Sequence, residues 1–134
     1  MSVMANCWVE AGDRYKLDPW LLYSIAKQES GLRSDAINKN KDGSEDLGIM
    51  QINTRHLPKL TAYGIRRVEL FDPCTNIMVG AWILAENFYR FGRNWNAVGM
   101  YNAGTMPSLV QQKKRDLYAS RIINIYRDAM RRGK

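Results

Sequence analysis

Glu29 stands where a hydrophobic residue is due. Leu22, Ile25 and Ala26 follow the i, i+3, i+4 spacing of a core-facing helical stripe, and the i+7 position of that stripe holds this carboxylate. Two helical turns separate Glu29 from Leu22, so the two lie nearly one above the other. Desolvation penalises an ionised carboxyl and raises its pKa, and a carboxyl that keeps its proton near neutral pH can act as a general acid. The competing reading is a helix-end glutamate that reaches water or pairs with a Lys or Arg. The stretch "SEDLGIMQIN" then brings Glu45, Asp46 and Gln51 within reach of the same helix end. Two carboxyls across one bond is the arrangement that cleaves glycosides. Glu29 is one candidate, and Asp46 or Glu45 the other; the bland alternative for the last two is a solvated loop. Later, "VGMYNAGT" sets Tyr101 and Asn102 near the end of a short segment. A phenol and an amide suit polar contacts to a sugar or an amide in an otherwise apolar groove.

The elements that must position these side chains read as helices. An opening helix is predicted over about residues 4–16, with Cys7, Trp8, Ala11 and Tyr15 on its apolar side. Asp18 and Pro19 supply an N-cap and a first-turn proline for the helix that carries Glu29, which Gly31 ends. Residues 33–48 are polar, with Asp42-Gly43 as a hairpin signal, so a loop or a very short β-hairpin is expected around residues 38–50. A short helix follows from about Thr54 to Ala62. Asp72 and Pro73 repeat the capping device and open what reads as the longest helix, to about Phe91, with Ile77, Ala81, Leu84, Phe88 and Phe91 inward. Another short helix spans about Trp95–Ala103 before Gly104. The final one starts near Pro107 or Lys113 and runs to about Met130, with Tyr118, Ile122, Ile125 and Ala129 inward. The expected class is therefore mainly α. Core packing is the first expectation for Trp8, Trp20, Trp82 and Trp95, with sugar stacking second.

At 134 residues and 46% hydrophobic, the chain reads as one domain with a real core, residues 1–134, without repeat or linker. No apolar run is long enough to span a membrane. "MSVMANCW" lacks the apolar core of a secretion signal, so Met1 is read as the start of a mature exported chain or as a cytosolic start. The two cysteines, Cys7 and Cys74, with His56 as the one histidine, make no zinc site; they are two buried thiols or one disulfide. The net charge of +7 is concentrated at one end: residues 1–110 carry 12 basic and 11 acidic side chains, and residues 111–134 carry 8 basic and 2 acidic. A basic helix and tail at about 111–134 favours an anionic partner. Nothing resembles a helix-turn-helix or an aromatic platform, which argues against nucleic acid.

Taken together and in this order, "QESGL", "DLGIMQIN" and "MYNAGT" resemble the three signature blocks of the soluble lytic transglycosylase family. That family has a lysozyme-like fold, nearest to goose-type lysozyme, and the likeness runs from about Cys7 to Tyr126. "FDPC" with its partner at Cys7 narrows it to the small members that accompany type III secretion, type IV secretion and conjugation machines. Those are exported to the periplasm, which favours the Cys7–Cys74 disulfide. By this resemblance Glu29 is the catalytic acid and base, and Ser30 supports it. Gly48, Ile49, Met50 and Gln51 match the second block, whose glutamine contacts sugar. Tyr101 lies beside the catalytic carboxyl with Asn102, and Tyr118 matches a late tyrosine of the last helix. Met100 stands where the family usually has alanine. Asn53-Thr54 replace a common Met-Pro, which changes the sugar contacts expected there.

The implied reaction cleaves the β-1,4 bond between N-acetylmuramic acid and N-acetylglucosamine in peptidoglycan. It leaves a 1,6-anhydro end and uses no metal or cofactor. Asp46 offers a runner-up, a lysozyme-type muramidase in which a second carboxylate activates water. A non-catalytic wall-binding or assembly module is the alternative from another class. The expected partners are glycan strands and, through the basic end, a secretion component; the expected state is a monomer.

Overall fold

Two Asp-Pro pairs set the frame. The carboxylate of Asp18 accepts from the backbone N–H of Trp20 at 2.9 Å, and Pro19 opens helix α2, Pro19–Ser30. Asp72 accepts from the N–H and the hydroxyl of Thr75, each at 2.9 Å, and Pro73 opens α4, Pro73–Phe91. Each cap satisfies backbone donors that a helix start leaves without partners. The computed structural model describes residues 3–133, and these also form α1 (Val3–Tyr15), α3 (Leu57–Ala62), α5 (Trp95–Ala103) and α6 (Leu109–Arg132). Asn94 and Ser108 cap α5 and α6 by accepting from Ala97 N–H and Gln111 N–H.

The polar segment folds into three short antiparallel strands, β1 (Ile37–Lys39), β2 (Glu45–Leu47) and β3 (Ile52–Asn53), in that order across the sheet. The register pairs Asn38 with Asp46 and Asp46 with Asn53. A loop or a two-stranded hairpin was expected. The third strand forms because Ile52 carries its side chain into the core beside Leu47. A 3-10 turn, Thr54–His56, precedes α3, and a second, Arg67–Phe71, leads into α4. The longest helix is α6, not α4: its 24 residues run from Leu109 past Met130 to Arg132. Phe88, Phe91 and Ile125, expected inside, are only half-buried, because they sit at the edges of their helical faces.

The core is built from Leu22 and Ile25 of α2, Leu47, Ile49, Met50 and Ile52 of the sheet region, Leu70, Ile77 and Leu84 around α4, and Ile122 of α6, each under 2% exposed. Helix α1 lies against α2 and α4, and α6 lies against α2 and α5. Cys7 and Cys74 form a disulfide, so the two-thiol alternative is set aside; it joins α1 to the start of α4 across 67 residues of sequence. Closing a loop of that length restricts the unfolded chain by about 4 kcal/mol on the chain-entropy model.

Among the buried polar side chains that nothing in the sequence marked, one holds the strand region in place. Asn76, fully buried, donates to the carbonyls of Leu47 at 2.9 Å and Leu70 at 2.8 Å, and accepts from Met50 N–H at 2.8 Å. It fastens the strand region to α4 and fixes the floor on which the site rests.

Candidate active site

Helix α2 ends at Ser30, one residue after Glu29, because Gly31 takes a left-handed backbone (φ 65°), which glycine adopts without Cβ strain. Its N–H returns to Lys27 O at 3.0 Å. Glu29 is thereby placed on the last turn, at the rim of a cleft of about 260 Å³. Tyr118, 4% exposed on α6, donates its hydroxyl to Glu29 Oε2 at 2.8 Å. The Glu29 pKa is raised from 4.5 to about 7. Burial is the main cause, the nearby Asp46 charge adds to it, and hydrogen bonds from Tyr118 and Asn102 pull the other way. Burial, and then the Glu29 charge, push the phenols of Tyr101 and Tyr118 well above their usual range. Both therefore stay protonated as donors.

Tyr101 lines the cleft and donates to Met50 O at 2.8 Å. It reaches that carbonyl across α4 at Gly80, where a Cβ would stand 3.0 Å from its hydroxyl oxygen and would also collide with the Met50 side chain. The bare backbone of Gly80 is what lets α4 pass so close to the site.

Asp46 faces the same cleft from β2. Asn53 Nδ2 donates to its Oδ1 at 2.9 Å, and Asn40 Nδ2 to its Oδ2 at 3.2 Å. Glu45, the other candidate, points away, as strand alternation requires, and pairs with Arg67 at 2.9 Å. It is set aside as a second acid.

Gln51 lines the cleft, yet its amide is engaged internally. Its Nε2 donates to Gly48 O at 3.0 Å and Ala36 O at 3.3 Å, and its Oε1 accepts from Asn38 Nδ2 at 2.6 Å. These bonds hold a backbone in the left-handed region (φ 55°), which costs a side-chain-bearing residue roughly 1–2 kcal/mol. The glutamine therefore shapes the turn as well as the wall.

Six of the ten side chains expected in the site line the cleft: Glu29, Asp46, Gln51, Asn53, Tyr101 and Asn102. Ser30, Gly48 and Met50 do not; they are buried beneath it. Ser30 Oγ donates to Ile49 O at 2.7 Å and accepts from Arg33 N–H at 3.0 Å, Gly48 packs against Asn76, and Met50 fills core space. Their effect is on the scaffold. Tyr118 acts from behind, through Glu29. Asn40, Asp42, Ser44, Ile52, Arg55, His56 and Ile83 line the cleft as well and were not expected there. Only the turn signal at Asp42 marked any of them, since the rest converge through the sheet and α4. None of the four tryptophans lines the cleft. Trp8 is buried and Trp82 half-buried against His56, whereas Trp20 and Trp95 are about 40% exposed, against the expectation of core packing. Among the described residues, no three His, Cys, Asp or Glu side chains converge as metal ligands.

Helices α1 to α6 with the small sheet match the solved structure of an inactive mutant of lytic transglycosylase Slt from Pseudomonas aeruginosa, with a TM-score of 0.71 at 21% identity. The match covers 91% of this chain and 23% of that one, so the chain spans about a quarter of the solved protein's length. Invasion protein IagB of Salmonella typhimurium is 45% identical over 127 residues, covering 94% of this chain and 78% of IagB. Protein IpgF of Shigella flexneri is 43% identical over 123 residues, covering 91% and 80%. The transglycosylase SLT domain matches residues 6–124. A match across nearly the whole chain, joined to that helical architecture, makes this protein a member of the transglycosylase SLT domain family.

Proposed function

We propose that residues 1–134 form one catalytic domain, a peptidoglycan lytic transglycosylase that cleaves the bond between N-acetylmuramic acid and N-acetylglucosamine. One observation carries this: Glu29, with its pKa raised to about 7, lodged in a cleft wall and held by Tyr118. Protonated Glu29 gives its proton to the leaving glycosidic oxygen. The substrate's own 2-acetamido group shields the cation that forms. The Glu29 carboxylate then takes the proton of the muramic C6 hydroxyl, whose oxygen closes the ring to a 1,6-anhydro end, so no water is consumed. The Tyr118 hydroxyl and Asn102 keep the carboxyl oriented, and Asn53 offers polar contact to the sugars.

Asp46 supports a second reading, a muramidase. It lines the same cleft and lies near enough for its charge to raise the Glu29 pKa. Asn40 and Asn53 hold it in place, where a carboxylate can activate water. Mass spectrometry of digested sacculi separates the two. Anhydro-muramic ends from wild type and Asp46→Asn alike support the transglycosylase; reducing ends lost in Asp46→Asn support hydrolysis. Glu29→Gln abolishes wall lysis in either case, by about a hundredfold or more. Undiminished lysis would leave only a wall-binding module.

The disulfide fits an oxidising compartment, and the glycan substrate fits the periplasm. The likeness to invasion protein IagB suggests that this domain opens the wall locally for a secretion apparatus. The basic residues of α6, apart from the buried Arg115, give such an apparatus, or the anionic wall, a surface to meet.

A further inference from the structure

The cleft is lined by residues that include one permanent cation. Arg55 lines it together with the carboxylates of Glu29, Asp42 and Asp46. Among the described residues, the Arg55 guanidinium donates no hydrogen bond and makes no ion pair. Two of the neighbouring carboxylates carry hydrogen bonds of their own. The Asp42 pKa is lowered by its Ser44 hydrogen bonds first, and the Arg55 charge is the smallest of the causes that lower it. Asp46 is held by Asn53 and Asn40, and Asp42 accepts from Ser44 N–H at 2.9 Å and Ser44 Oγ at 2.6 Å.

The base of Arg55 is nevertheless fixed. Asn53 Oδ1 accepts from Arg55 N–H at 2.9 Å, while the same asparagine's Nδ2 donates to Asp46. One side chain thus ties the root of the cation to the carboxylate beside the proposed reaction centre. The neighbouring cation is not free to compete: Lys59 sits 4.9 Å over the Trp82 ring and 3.9 Å from Glu86. His56, half-buried with its ring edge-on to Trp82 at 6.3 Å, is biased toward its neutral form by burial first and then by Arg55. It offers a donor and an acceptor to a neutral sugar but no charge. Arg55 is therefore the part of the cleft built for an anion.

From this placement we infer that Arg55 forms a carboxylate-binding subsite that reads the ionised group of the peptidoglycan strand. The sugars of the strand are neutral. Its anions are carboxylates, on the peptide stem where one is present, or on the lactyl group where the stem has been removed. A planar guanidinium matches a carboxylate with two parallel hydrogen bonds. The subsite rests on the proposed glycan-binding reading of the cleft and assigns it a charge preference.

The test measures binding without turnover, in the Glu29→Gln protein, by calorimetry. Three soluble strand preparations are used: stems intact, stem carboxylates converted to amides, and stems stripped to expose the lactyl carboxylate. Adding Arg55→Gln is expected to weaken binding about tenfold for a strand that carries the recognised carboxylate and to leave the amidated strand unchanged. Arg55→Lys, which keeps the charge without the fork, should recover part of the loss. A loss confined to intact stems assigns the stem carboxylate; a loss confined to stripped strands assigns the lactyl group. Equal weakening on all three, or on none, overturns the subsite. If the Glu29→Gln parent bound no strand, the glycan reading of the cleft would fall and the subsite with it. Products released by the wild type judge the transglycosylase reading separately.

Discussion

Replacing Glu29 by glutamine should stabilise the protein, and by an amount that depends on pH. In the folded chain the carboxyl keeps its proton up to about pH 7; an unburied glutamate releases it near 4.5. Below the lower value both states are protonated, and the stabilising contribution is fully present. Between the two values only the unfolded chain is ionised, so the folded state binds more protons and loses ground as pH rises. At about 1.4 kcal/mol for each unit, the rise from 4.5 to about 7 amounts to about 3 kcal/mol, all of it lost above pH 7. Glutamine has no proton to lose and still presents a carbonyl oxygen to the Tyr118 hydroxyl. The variant should therefore gain on the wild type by about 3 kcal/mol between about pH 4 and about pH 8, or about 10 °C in Tm for a chain of this size. Thermal melts followed by circular dichroism at fixed ionic strength measure it. A difference in Tm that stays flat with pH, or that favours the wild type as pH rises, would refute the claim that Glu29 is desolvated when folded.

Tyr118→Phe removes a hydrogen bond that favours the Glu29 carboxylate, so the alkaline limb of kcat/KM on glycan strands should move up by about one pH unit. An unmoved limb would detach Tyr118 from the acid. Cys7→Ser with Cys74→Ser should lower stability by about 4 kcal/mol in urea unfolding, and coincident curves would contradict the loop-closure account. Removal of residues 127–134 should weaken binding to sacculi more at low salt than at high salt, since its arginines act through screened charge. Equal loss at every salt concentration would exclude electrostatic steering.

The parts of this structure that local chemistry decides were legible in advance. Asp18-Pro19, Asp72-Pro73 and Gly31 mark helix boundaries because caps and left-handed turns are satisfied within a few residues. Glu29 announced itself by breaking an apolar stripe. Long-range agreement was hidden. The three hydrogen bonds of Asn76 reach the region of residues 47–50 and Leu70, and nothing beside Asn76 in sequence distinguishes it from a solvated amide. Arg55 and His56 lacked a signal because their place in the cleft depends on a third strand that Ile52 forms only by packing under Leu47. Ser30, Gly48 and Met50 were expected at the site because the resemblance places them in the signature blocks, beside residues that do face the cleft. One step along a turn reverses the direction of a side chain, and these three point into the protein.

Tyr118 follows its partner Glu29 by 89 positions. A ribosome makes the glutamate first and the tyrosine 89 residues later, so a chain that stops between them lacks the hydroxyl that holds the carboxyl. Even a fragment that ends just before α6 carries every residue of the three signature blocks and still lacks this anchor. Under the proposed function, the acid is poised only once α6 has packed against α2, late in the making of the domain.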